Sequence, residues 1–433
     1  MRSAALALVL AAGVPALAAC GGSGRSSSAA VAIPVSRSIC SHIAYGGEGR
    51  PRFLIPLVGP FQGAYSDHGV QNAQAIKVVL AQRGWRAGDK AVGTQLCDEA
   101  SADAPVDLAK CRRNARAFAG DPGVVAVVGP TTSACAAAMI PILNAARGGP
   151  VALIAAGNTY LGLTRAGPGV AAGDPARLYP TGTRNYMRLA PADDAQAAAL
   201  VLTARDAGVR RPFVVHDGGL FGKGLAGAYT EVEKRLDMAA AGAAQWNAGA
   251  ASYRRLTRRI ATAGADGVLI AGEVNNNGAR LIRDLRDGLG ARVPLLAPDG
   301  FNQPATIVEG AGERADGLTI SIASGPVRTL PPAGRRWAAA FERRTGTRPC
   351  CFATHTAQAV QLVLDALAGS DGSRAQVLTN LRRASVHDGL LGDFRFDRFG
   401  DTTQSRIAIY RITAGRLRYV QSVDVPQALL TRR

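Results

Sequence analysis

The sequence predicts an α/β protein made of two doubly wound parallel-sheet lobes. Three observations carry that prediction. Short apolar runs alternate with amphipathic stretches from Phe53 onward, the alternation restarts near Ala195, and 433 residues are too many for one ordinary core. Hydrophobic residues make up 47% and charged residues 19%, a balance that suits folded domains and excludes a wholly disordered chain.

In order, residues 53–58 read as a strand ending in the turn-forming Gly59-Pro60, and 69–83 as a helix with Val70, Ala73, Ile76, Val79 and Leu80 on one face. A strand at 91–96, a helix at 107–119, a strand at 124–128, a helix at 133–146 and a strand at 151–155 follow. This order is that of a parallel sheet with helices on both faces. Residues 162–183, rich in turn-forming Gly and Pro, read as a surface loop. The second series runs helix 195–207, strand 212–216, helices 222–236 and 253–263, strand 267–271, helix 279–289 and strand 295–297. Beyond Gly317 the order blurs: 318–322 reads as a strand, 333–344 and 357–368 as helices, and 394–396 with 407–411 as a closing antiparallel pair.

The first twenty residues address the chain to the cell exterior. Arg2 supplies a positive start, residues 4–17 an apolar run too short for a comfortable membrane span, and Leu17-Ala18-Ala19-Cys20 places small residues before a cysteine. That spacing resembles a bacterial lipobox, which implies that Cys20 becomes the lipidated N-terminus. An oxidising compartment then makes Cys40, Cys97, Cys111, Cys135, Cys350 and Cys351 disulfide candidates, with the pairing open. No C-x-x-C pair or histidine cluster points to a metal, and no cofactor is implied. The net charge of +18 raises the question of nucleic acid, but the arginines are scattered. The densest group, Arg254, Arg255, Arg258 and Arg259, has the spacing of a solvated helix face, so no nucleic-acid partner is assigned.

An enzyme needs a nucleophile, an acid/base pair or a cofactor cradle. The chain has no G-x-S-x-G elbow, H-E-x-x-H or Walker loop. Ser66, Asp67 and His68 are adjacent, and neighbours in a loop seldom face one another. The chain is therefore read as a non-enzyme. Polar residues instead follow the C-terminal ends of predicted strands, where open α/β sheets expose their ligand crevices. Thr131, Thr132 and Ser133 precede a helix whose first N–H groups could hold an anion, with Ser133 equally suited to capping that helix. Thr159 adds a hydroxyl beside them. Asp299, in Pro298-Asp299-Gly300, and Glu273, ahead of Asn275-Asn276-Asn277, place carboxylates at the mouth of the second lobe or belong simply to turns.

Taken in order, these landmarks resemble the periplasmic branched-chain amino-acid-binding protein family, the solute receptors of ABC importers with a type I Venus-flytrap fold. The residues that carry the likeness are Gly59-Pro60, Gly63-Ala64-Tyr65, 127–133, 156–160, Val214-Val215-His216-Asp217, Phe221-Gly222-Lys223-Gly224, 264–268, 297–300 and Gly389-Leu390-Leu391-Gly392. The resemblance implies that Ser133 and Thr159 bind a ligand carboxylate, assisted by the backbone at Gly157, and that Asp299 binds the ligand ammonium. Tyr65 would lie near the side-chain pocket, and Phe221, a further ligand-binding candidate, stands where the family often has a tyrosine. An aromatic usual after strand 267–271 is replaced by Glu273, which implies a more polar pocket. The implied division is a signal peptide 1–20, a flexible tether 21–50, lobe 1 at 51–190 with about 323–388, and lobe 2 at about 191–322 with 389–433, joined by a three-segment hinge. The implied partners are a small amino-acid-like ligand, an ABC permease and, through Cys20, the outer face of the cell membrane. A sensory receptor on the same fold is the alternative, with a secreted hydrolase behind it.

Overall fold

The computed structural model describes residue 1 and residues 40–431; the expected signal peptide, Cys20 and most of the expected tether lie outside the described residues. Two separate sheets form the centre of the molecule. The first has five parallel strands in the order Leu96–Asp98, Leu57–Gly59, Ala126–Val128, Ala152–Ala155, Tyr186–Arg188. The second runs Gly242–Gln245, Pro212–His216, Gly267–Ala271, Leu295–Ala297, Thr319–Ile322 in parallel, then Arg406–Thr413 and Arg416–Asp424 antiparallel. In each sheet the five parallel strands, counted along the chain, have the order 2-1-3-4-5, so the second half repeats the winding of the first.

The strands read as continuous apolar runs because both faces are buried. Leu57, Val128 and Ile154 pack into one core beside Ile76 and Val363, while Val58, Val127 and Leu153 enter another beside Phe118 and Ile140. The second sheet repeats this alternation, with Phe213 and Ile270 on one side and Val214 and Leu269 on the other. Each such side chain contributes roughly 1.5–3 kcal/mol of burial, which holds the strands in a register that sends one residue to each face.

Three stretches of chain pass between the sheets: after Arg188, after Ile322, and between Arg395 and Arg406. Leu390, Phe394 and Phe396 still pack in the first lobe's core. A buried arginine fastens this returning segment. The Arg374 guanidinium donates to the carbonyls of Phe118, Ala119, Asp121, Val124 and Arg147.

Several local expectations are revised. The strand read at 91–96 is two strands: Lys90–Gly93 joins a small three-stranded sheet and Leu96–Asp98 the main one. Residues 394–396 do not pair with 407–411. Gly392–Arg395 pairs with Ser385–Gly389, and Arg406–Thr413 lies between Thr319–Ile322 and Arg416–Asp424. Segment 162–183 is no solvated loop throughout. Leu163, Thr164 and Arg165 are buried, and the Tyr160 hydroxyl accepts from Ala171 N–H at 2.8 Å. Residues 40–44, read as tether, are fastened to the sheet edge by the Cys40–Cys97 disulfide and by Ala44–Thr94 backbone bonds. The other pairs are Cys111–Cys135 and Cys350–Cys351. Arg254, Arg255, Arg258 and Arg259 are exposed on the helix Arg254–Thr262. Among the described residues no helix is long and apolar enough to cross a membrane.

Candidate functional site

In a doubly wound sheet the crevice opens where neighbouring strands lead their crossovers to opposite faces, beyond the strand C-termini. Here those points lie beside Leu57–Gly59 and Ala126–Val128 in one sheet, and beside Pro212–His216 and Gly267–Ala271 in the other. The loops after these strands face each other across a cavity of about 310 Å3. All seven residues singled out from the sequence, Tyr65, Ser133, Gly157, Thr159, Phe221, Glu273 and Asp299, line it.

The first wall begins at Gly129, whose φ of +100° and close approach to Val58 leave no room for a side chain: a Cβ would lie 2.1 Å from the Val58 carbonyl oxygen. The chain then turns into the helix Ser133–Asn144. Thr132, not Ser133, caps this helix, its hydroxyl accepting from Cys135 N–H at 3.4 Å. Ser133 Oγ is left facing the cavity, where it also accepts from Tyr160 N–H at 3.3 Å. The N–H groups of Thr131 and Thr132 do not await an anion, because Glu99 beneath the loop accepts from them at 3.0 and 3.3 Å. Asn158 Nδ2 fixes the same loop by donating to the Pro130 and Thr131 carbonyls at 3.0 and 2.7 Å. Ser133, Thr159 and the start of the helix therefore form a donor wall whose geometry is set from below.

Gly157 and Thr159 follow the next strand, Ala152–Ala155. The Phe352 ring lies against Gly157, 3.1 Å from where a Cβ would stand, and Phe352 itself adopts φ +67°. Phe352 stands between two helices of the first lobe, Pro332–Thr345 and Ala353–Ala368, yet it packs with the second lobe's core and lines the same cavity.

The second wall is acidic. Asp217 orders it: one carboxylate oxygen accepts from Gly219 N–H at 2.9 Å, and the other from Glu273 N–H at 3.0 Å and Asn276 Nδ2 at 2.7 Å. Asp299 opens a short turn after Leu295–Ala297. Buried Gln196 holds it at both ends, donating to Asp299 Oδ1 at 3.1 Å and accepting from Asp299 N–H at 2.9 Å. Tyr65 crosses the gap, its hydroxyl donating to the Gly300 carbonyl at 3.2 Å. Ser66, Asp67 and His68 form no triad. They are consecutive on the helix Ser66–Gln82, with Asp67 exposed and His68 buried against Tyr65.

Burial raises several carboxyls here. It pushes Asp299 up to about 6, against hydrogen bonds from Gln196 and the backbone, and Glu273 up to about 7 together with the Asp217 and Asp299 charges. Behind the wall, burial and the Asp299 charge push Asp193 up to about 8, against the Thr159 hydroxyl and Arg188. Burial likewise raises Glu99 to about 8. An unfolded chain ionises both near pH 4, so between pH 4 and 8 the folded state holds more protons and stability falls as pH rises. His68 and His355, held near 4 by burial, exert their effect below pH 6.5. Between pH 7 and 9 the loss is expected to be about 1 kcal/mol for each of Glu99 and Asp193. Urea melts at the two pH values measure it. An unchanged or higher midpoint at pH 9 would show that these carboxyls ionise freely in the fold.

Sequence reasoning missed Glu99, Asn158, Gln196 and Phe352. Glu99 and Asn158 carried a usable signal, since Glu99 directly follows the strand Leu96–Asp98 and Asn158 lies in the short loop after Ala152–Ala155. Gln196 and Phe352 carried none.

The fold agrees with known proteins. The model of the family described as "Periplasmic binding protein" matches residues 54–416. A Leu/Ile/Val-binding protein of Rhizobium johnstonii is 28% identical over 368 residues, covering 84% of this chain and 91% of its own. The crystal structure of a leucine-binding protein of Thermotoga maritima superposes with a TM-score of 0.70 at 19% identity, covering 86% of this chain and 99% of that one. An R. palustris solute-binding protein in complex with benzoate gives 0.67 at 15% identity, covering 86% and 96%. With its paired 2-1-3-4-5 sheets, its three crossovers and a family match over most of its length, the chain belongs to the periplasmic binding protein family and has the type I fold.

Proposed function

We propose that the protein is the extracytoplasmic receptor of an ABC importer and captures an α-amino acid between its lobes. One observation carries this reading: a donor wall at Ser133, Gly157 and Thr159 faces an acidic wall at Asp299 across a single cavity, opposite charges for the opposite ends of a zwitterion. The Rhizobium relative, which binds Leu/Ile/Val, supports the same class. The ligand carboxylate sits at the Ser133 and Thr159 hydroxyls near the helix N-terminus, where the dipole favours negative charge. Its ammonium sits at Asp299. Charge-assisted hydrogen bonds contribute roughly 1.5–3 kcal/mol each, so three or four of them, offset by ordering costs, reach the roughly 8 kcal/mol of a micromolar receptor. The ligand bridges two lobes on three crossovers, so binding favours the closed state that a permease reads. Lipid on Cys20 holds the receptor at the outer face of the membrane. No step of this work requires catalysis.

A thermal-shift screen against the common L-amino acids and benzoate tests the reading. A ligand at about 100 times its dissociation constant stabilises the native state by about 2.7 kcal/mol. A response to benzoate with none to any amino acid would defeat the proposal.

A further inference from the structure

We infer that the cleft selects amino acids whose side chain carries a second positive charge, with Glu273 as the acceptor for that charge. The inference rests on the amino-acid reading above and names the side chain. The lining holds three acids, Asp217, Glu273 and Asp299, and no Lys or Arg, although the chain as a whole carries a net charge of +18. These acids do not stand alike. Asp217 is saturated by Gly219, Glu273 N–H and Asn276, and Asp299 is held on one side by Gln196. The Glu273 carboxylate faces the cavity and takes no hydrogen bond from any described protein group.

An α-ammonium at Asp299 satisfies one of the two available carboxylates. Glu273 then remains in a desolvated pocket beside other negative charges, a position that costs free energy unless a cation joins it. The pressure on Glu273 toward its neutral form, from burial and from Asp217 and Asp299, is the sign of that missing partner. A metal ion does not fit. Among the described residues the one group of ligand atoms close enough to hold a metal is Glu99 with Cys111 and Cys135, whose sulfurs are joined in a disulfide. An organic cation does fit, because Tyr65, Phe221 and Phe352 present aromatic surface to the same space and ring faces attract ammonium and guanidinium groups. Neighbouring Asn276, tied to Asp217, keeps the loop that carries Glu273 in place.

Calorimetric titration of the purified chain with L-lysine, L-arginine, L-leucine and cadaverine decides the matter, repeated on Glu273→Gln. Lysine or arginine is expected to bind at least about tenfold tighter than leucine, and Glu273→Gln to shrink that preference by roughly 10- to 100-fold, the worth of one charged hydrogen bond. Leucine binding as tightly as lysine to the native protein overturns the inference and leaves the amino-acid reading standing. So does a lysine preference that survives in Glu273→Gln. Cadaverine binding as tightly as lysine overturns the carboxylate anchor at Ser133 and Thr159, and no response to any of the amino acids overturns the parent reading with it.

Discussion

Replacing Asp401 by Ala is expected to destabilise the fold by about 3–5 kcal/mol, a large fraction of the 5–15 kcal/mol typical of a domain. Asp401 lies in the last crossover between the lobes. Its Oδ1 accepts from Arg188 Nε at 2.7 Å, and its Oδ2 from Arg165 Nε at 2.7 Å and Thr164 Oγ1 at 3.1 Å. Arg165 also reaches Asp194 at 3.2 Å, and Arg188 donates to the Tyr160 carbonyl at 2.8 Å. The side chains of Arg165, Arg188 and Asp401 are at most 5% exposed. Removing the acid leaves two guanidinium groups in a dry interior with only Asp193 and Asp194 as nearby acids. Urea denaturation monitored by circular dichroism reads the loss, and a change below about 1 kcal/mol would show that water enters the cluster. The pH dependence has a definite sign. Arg188 and Arg165 hold the Asp401 carboxyl below its ordinary range despite its burial. Its contribution is therefore complete above the unfolded value of about 4 and is lost as pH falls below it.

Asp299→Ala is expected to lower affinity for the amino-acid ligand by two to four decades, because a buried ammonium would lose its counter-charge at a cost of about 3–5 kcal/mol. The fold should survive. Gln196 keeps the Asp299 backbone N–H and Ser321 Oγ, which donate to its Oε1 at 2.9 Å each, so the turn stays anchored without the carboxylate. Calorimetry on the variant, beside a thermal melt to confirm folding, separates the two effects. An unchanged dissociation constant would mean that the ammonium sits elsewhere, with Glu273 the next acid in line. Together the two substitutions separate stability from binding: one acts at the crossovers, the other at the cleft.

The layout of the site was largely legible in the sequence. Strand ends are marked by apolar runs that stop, and in a parallel sheet the residues just beyond them must meet in one crevice, so Ser133, Thr159, Glu273 and Asp299 could be placed before any coordinates. The elements that failed were those whose pairing is set at a distance. Residues 394–396 and 407–411 are both plausible strands, but partner choice depends on which exposed edge each meets, and the edge at Thr319–Ile322 claims Arg406–Thr413.

Local pattern determined the two-lobed α/β architecture, the strand-end loops and the even set of cysteines, since each depends on residues close together in the chain. Tertiary structure alone decided the cysteine pairing, the seating of Glu99 beneath the Thr131–Thr132 loop, the entry of Phe352 at positive φ, and the Arg165–Arg188–Asp401 cluster, in which Asp401 lies more than 200 residues from either arginine. The physical reason is one of range. Backbone preference and hydrophobic period act over a few residues, whereas a buried charge reveals its purpose only when the folded chain supplies the partner that offsets its lost hydration.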